Sequence, residues 1–166
     1  LRMSRGLGDV YKRQIPERVF DWNNLFYVCP HCNNIKKESK YDDKIIDCCE
    51  EDPEKMLEQC YEEGHVNVHN IVNEERAIMT ADLIQECFEK RNTGIREAAC
   101  QHRIDRLAEE MNFLYKTLEK HKKDPEMQRC KRTLKATLSR SSIFSAFKRN
   151  YVRKHLSLIH ISEPTR

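Results

Sequence analysis

The sequence predicts an α+β chain: a small zinc-stiffened region, then a β-hairpin, then a bundle of three or four helices. Three observations predict it. Residues 15–52 are polar and irregular around a Cys29-Pro30-His31-Cys32 knuckle, with no long apolar period. Residues 57–71 read as two short strands about Glu63-Gly64. Beyond Thr80, apolar residues recur at spacings of three and four, the period of a helix with one buried face.

The ends of the chain stand apart from this pattern. Residues 4–14 (SRGLGDVYKRQ) and 156–166 (LSLIHISEPTR) can be encoded by the two complementary strands of one DNA segment. Both resemble translated sequencing adapter. The expected organisation is therefore 1–14 adapter artefact, 15–52 incomplete metal element, 53–155 hairpin plus helical region, and 156–166 adapter artefact. The native protein is expected to continue on both sides of Ile15–His155.

Within that frame each element has a local reason. Asp52-Pro53-Glu54 has the form of a helix start, with Asp as N-cap and Pro at the first helical position. In the second arm of the hairpin His65, Asn67 and His69 point one way, and Val66 and Val68 the other. Thr80 is expected to cap a helix over 81–91, and Thr93 a longer one. In the longer helix Ile104, Leu107, Met111, Leu114 and Leu118 form one apolar stripe. Asp124-Pro125-Glu126 repeats the start signal for a third helix, and Ser142 is expected to cap a fourth, running to about Lys154.

The formal charge of +3 arises from 30 basic and 27 acidic residues. Setting aside the two adapter-like ends leaves 25 of each, so the apparent basicity belongs to the ends. Charge is nonetheless segregated. Between Asp42 and Glu63 there are ten acidic residues against two lysines, and from Arg129 to Lys154 nine basic residues and no acidic one. Two solvated faces would account for this. So would a basic helix pair that follows a phosphate backbone, with Arg140, Lys148 and Arg149 as contacts and Tyr151 adding aromatic surface. No apolar run is long enough to span a bilayer, so no membrane partner is expected.

Eight cysteines is many for 166 residues. Cys60, Cys87, Cys100 and Cys130 are scattered singly and read as small buried hydrophobes. Cys29 and Cys32 differ, because two thiolates at this spacing reach one tetrahedral zinc from a single turn. A redox pair would sit at a helix start after a strand, and nothing here reads that way. The other two zinc ligands are not evident. Cys48 and Cys49 are adjacent and splay apart. His65 and His69, on one face of a strand, would stand roughly 13 Å apart. The remaining ligands are expected upstream.

Asp21-Trp22-Asn23-Asn24-Leu25 followed by Cys29-x-x-Cys32-Asn33-x-x-Lys36 resembles the second half of an HNH endonuclease motif. The resemblance implies a ββα-metal element with Cys29 and Cys32 on structural Zn2+. It implies that Asn24 bridges the hairpin strands and orients the backbone around the general base. Asn33 then takes the third position, more often His, at a catalytic Mg2+ or another divalent cation, and Lys36, helped by Lys37, contacts the phosphate. Weaker similarities at Ile45-Ile46-Asp47, Glu51-Asp52-Pro53-Glu54 and Asn92-Thr93-Gly94-Ile95-Arg96 resemble HNH subunits paired with an ATPase in prokaryotic antiphage systems of the Septu and retron kind.

The resemblance thus implies a cytoplasmic prokaryotic nuclease that hydrolyses nucleic-acid phosphodiester bonds, of DNA or RNA with DNA favoured, and that has an ATPase partner subunit. The family's first histidine belongs before Asn24, whereas the first histidine here is His31. Loss of a general base costs about 10²–10⁴ in rate, so the chain as it stands is expected to be inactive. The rival reading is a zinc-bearing module that binds nucleic acid or protein and performs no chemistry. The Asn-Leu pair and Lys36 favour the nuclease, since a bare zinc module has no need of them.

Overall fold

The structure is a computed structural model that describes residues 3–5, 25–27, 32, 35, 36, 40, 41, 45–48, 50–89 and 94–155. Its class is α+β. Strands β1 (Met3–Arg5) and β2 (Leu25–Tyr27) pair antiparallel with Ser4 opposite Phe26. A one-turn 3-10 helix follows at Pro53–Lys55, then the hairpin of β3 (Leu57–Glu62) and β4 (His65–Asn70). Four α-helices follow among the described residues: α1 (Glu75–Phe88), α2 (Gly94–Lys123), α3 (Gln128–Leu138) and α4 (Ser145–His155). Among the described residues no helix is long and apolar enough to cross a membrane. The chain divides into two units, one of residues Leu1–Leu57 and Val68–Gln101, the other of Glu58–Asn67 and His102–Arg166.

Backbone pairing over three residues is weakly specified by side chains.

The hairpin forms where the turn chemistry places it. Glu63 and Gly64 both have positive φ, 51° and 82°, as a two-residue turn matching the strand twist requires. On β4 Val68 is buried and Val66 half-buried, while His65 and Asn67 are exposed. Alternation of apolar and polar residues thus sets which face packs.

In the first unit, α1 begins at Glu75 and not after Thr80. Thr80 lies inside the helix, where its hydroxyl donates to the Arg76 carbonyl at 2.7 Å and accepts from the Ile46 amide at 2.9 Å. A threonine can satisfy its hydroxyl one turn back in a helix, so its presence does not fix an N-terminus. The same helix carries Glu86, which accepts from the Tyr41 hydroxyl at 2.7 Å, and Gln85, which accepts from the Val68 amide at 2.8 Å. Burial pushes the Tyr41 hydroxyl up to about 12. Arg76 pairs with Glu51. Asp52 does cap, accepting from the Glu54 amide at 3.2 Å, but what it starts is the single 3-10 turn.

In the second unit Leu107, Met111, Leu114 and Leu118 of α2 are buried, as their spacing predicts, and so are Cys130, Leu134 and Leu138 of α3 and Phe147 of α4. Each fully buried side chain of this size contributes about 1.5–3 kcal/mol. The two later start signals fall short of their helices. Asp124 accepts from the Glu126 amide at 3.2 Å, closing a turn in the connection, while α3 starts at Gln128 behind Met127. Ser142 precedes α4 by three residues. Its hydroxyl accepts from the Lys148 ammonium at 2.9 Å, so it anchors a side chain one turn inside the helix instead of capping it.

Candidate functional site

The motif residues Asn24, Cys29, Asn33 and Lys37 lie outside the described residues, whereas Cys32 and Lys36 lie within them. The Lys36 amide donates to the Cys32 carbonyl at 3.1 Å, which closes one helical turn. The second cysteine of the knuckle and the lysine are therefore successive-turn neighbours, and Ile35 between them is buried. The sequence places this turn soon after the strand that Leu25 opens.

Lys36 is half-buried, and burial lowers its ammonium to about 8. A lysine in that state is charged at a cost and gains from a nearby anion. Where a surface lysine is already solvated, a phosphate adds little. Here it would replace solvation that burial removed. Lys40, four residues further on, differs. Its hydrogen bond to Glu86 raises its pKa, and that carboxylate already meets its charge.

The expected metals find no set of ligands among the described residues. No group of three His, Cys, Asp or Glu is placed to hold an ion there. Cys48 is exposed, and His65 and His69 sit on β4. The described residues alone do not fit zinc or a catalytic cation.

The three basic residues expected to face nucleic acid have different fates. Arg140 is exposed. Lys148 is shut off from solvent, and its ammonium donates to Glu110 Oε2 at 2.8 Å and to Ser142 Oγ at 2.9 Å. Arg149 is half-buried, with Nη1 on the Leu138 carbonyl at 2.8 Å and Nη2 on Ser145 Oγ at 3.2 Å. It satisfies a carbonyl left over at the end of α3 and ties that end to the start of α4. Tyr151 packs on Tyr115 with ring centroids 4.7 Å apart and on His155 at 4.3 Å. Lys148, expected at the surface, is buried instead, while Arg149 and Tyr151 are half-buried and make contacts that hold the helices together.

Sequence reasoning did not single out three further cations that reach solvent on one helix. Arg129, Arg132 and Lys135 are exposed on α3. The signal was present: Cys130, Leu134 and Leu138 repeat at four and mark the buried face, so residues 129, 132 and 135 fall opposite.

The four singly placed cysteines are buried, as expected of small hydrophobes. Cys130 donates to the Thr117 carbonyl at 3.2 Å. Cys60 differs, since its sulfur accepts from Asn150 Nδ2 and Lys154 Nζ, each at 3.3 Å. No family model, curated protein or solved structure matches the chain.

Proposed function

We propose that the chain derives from an HNH-type endonuclease that hydrolyses phosphodiester bonds of DNA, works with an ATPase partner subunit and serves antiphage defence in the prokaryotic cytoplasm. The observation that carries the reading is Lys36. It is a half-buried ammonium lowered to about 8, one turn beyond Cys32, in the sequence frame Asn24-Leu25…Cys29-x-x-Cys32-Asn33-x-x-Lys36. A polarised, poorly solvated cation is what a scissile phosphate would meet. In this reading Cys29 and Cys32 are half of a structural zinc site, and Asn33 stands at a catalytic divalent cation. Asn24 orients the backbone, and Lys36 with Lys37 holds the phosphate. Since no histidine precedes His31, the chain as it stands has no base at the expected place and is inactive.

The test begins with the source DNA immediately upstream of the Ile15 codon. The reading expects a frame carrying a histidine a few residues before Ile15 and, further back, a second Cys-x-x-Cys pair. Protein extended to include them should nick supercoiled plasmid in Mg2+ or Mn2+, and the present chain should not. A frame without both features, or an extended protein that leaves the plasmid intact, overturns the nuclease and leaves the zinc-bearing binding module as the better account.

A further inference from the structure

The nine basic residues between Arg129 and Lys154 are not equivalent once their surroundings are known. Lys148 is buried on Glu110, and Arg149 is bonded to the Leu138 carbonyl. Lys131 pairs with Glu126 at 3.2 Å, and Lys154 with Glu58 at 2.7 Å. These four charges are spent inside the second unit. Arg129, Arg132 and Lys135 are exposed, and none of them is paired with a carboxylate among the described residues.

Their placement on α3 is regular. A spacing of three turns each residue about 60° from the last, so the three lie within roughly 120° of arc and about 9 Å of rise. Cys130, Leu134, Thr137 and Leu138 are buried on the opposite side. A face that is merely solvated ordinarily mixes signs, as α2 does where Arg106 pairs with Glu109 at 2.8 Å and Glu110 at 3.2 Å. Between Gln128 and Leu138 there is no acidic residue to do this. The first turn of α3 also lacks an acidic residue and a side-chain cap, so Arg129 adds positive charge at the positive end of the helix dipole. On its own the face repels itself, and a polyanion relieves the repulsion.

We propose that the exposed face of α3 is a phosphate-backbone contact for duplex DNA, with Arg129, Arg132 and Lys135 each meeting a phosphate. The proposal rests on the nucleic-acid part of the function above and adds to it a contact surface remote in sequence from the Cys29–Lys36 motif. Backbone contacts of this kind position a duplex without reading its sequence.

The experiment is fluorescence anisotropy of the full chain with a labelled duplex oligonucleotide across a salt series. The comparison is the triple variant R129Q/R132Q/K135Q and a control with equal charge removed from α2, K116Q/K120Q/K123Q. All six positions are exposed, so circular dichroism should report intact helix in both. The expected result is at least roughly tenfold weaker binding for the α3 variant, with the slope of log K against log salt reduced by about two to three. The α2 control should keep most of its affinity and slope. Equal losses in both variants would show net charge alone at work and overturn the proposal. So would absence of duplex binding by the parent chain, or preferential binding of a polyglutamate peptide, which would assign the face to an acidic protein. Binding is read without cleavage, so an inert nuclease motif leaves this test intact. A cutting nuclease whose α3 variant binds unchanged removes this proposal alone.

Discussion

Lys148, with its side chain shut off from solvent, donates from Nζ to Glu110 Oε2 across 2.8 Å and so links α4 to α2 inside the second unit. Glu110 keeps a fifth of its side chain exposed and also accepts from Arg106 at 3.2 Å. Removing one partner of a buried pair leaves the other charge poorly solvated, which costs about 3–5 kcal/mol when no other partner remains. Arg106 and the residual exposure of Glu110 reduce that. Lys148→Met is expected to lose about 2–3 kcal/mol in urea unfolding. The double variant Lys148→Met/Glu110→Leu should recover much of it, because the uncompensated charge is gone. A single variant within about 0.5 kcal/mol of the parent would mean that the ammonium is solvated after all.

This pair also marks where sequence reading stops. The nine-residue basic stretch was visible, but which of its members reach solvent depends on Glu110, 38 residues away. No local pattern encodes that partnership. Conversely, the apolar repeats at Leu107–Leu118 and the Glu63-Gly64 turn were legible, because period and turn chemistry are set by residues close in sequence. Helix starts were legible only as neighbourhoods. Asp124 and Ser142 use the expected hydrogen-bonding capacity, yet on a turn and on a lysine instead of on a cap. Of the candidate catalytic motif, the Cys32–Lys36 turn is what the described residues contain.

Lys36 makes a prediction about pH. Its folded-state pKa is lowered by burial to about 8 from 10.5, so between those values the unfolded chain holds a proton that the folded one has released. Stability from this group therefore rises as pH increases through that window, and the burial penalty is fully present below it. Lys36→Met removes the penalty and should be more stable than the parent at pH 7. Its advantage should shrink steadily from pH 8 to 10 in parallel denaturation curves. An advantage that does not change with pH would exclude the shifted lysine as its source. The parent alone is uninformative, since other lysines and tyrosines titrate nearby.

Thr80 offers a test of how the 45–48 segment is fastened to α1. Its hydroxyl both accepts the buried Ile46 amide and donates to the Arg76 carbonyl. Thr80→Val keeps the shape and removes the acceptor, leaving the amide without its partner, at about 1–3 kcal/mol. Thr80→Ser retains the hydroxyl and should cost less than the valine variant. Amide exchange at Ile46 should accelerate in Thr80→Val and stay close to the parent's in Thr80→Ser. Equal exchange in all three would place the fastening elsewhere.

The hairpin turn carries the last prediction, and it separates conformational cost from steric cost. Glu63 holds φ 51° with a side chain that gains nothing from the left-handed region, whereas Gly64 at φ 82° pays no such cost. A Cβ placed on Gly64 would meet nothing within 4 Å, so any loss on Gly64→Ala comes from backbone conformation and not from collision. That loss should be about 1 kcal/mol. Glu63→Asn should move the other way, by a few tenths to about 1 kcal/mol, because asparagine tolerates positive φ and Asn-Gly is the favoured pair for this turn. Both effects are read from thermal or urea unfolding. A stabilised Gly64→Ala would show that the turn can adopt negative φ, and the two-residue geometry that sets the β3–β4 register would then have to be abandoned.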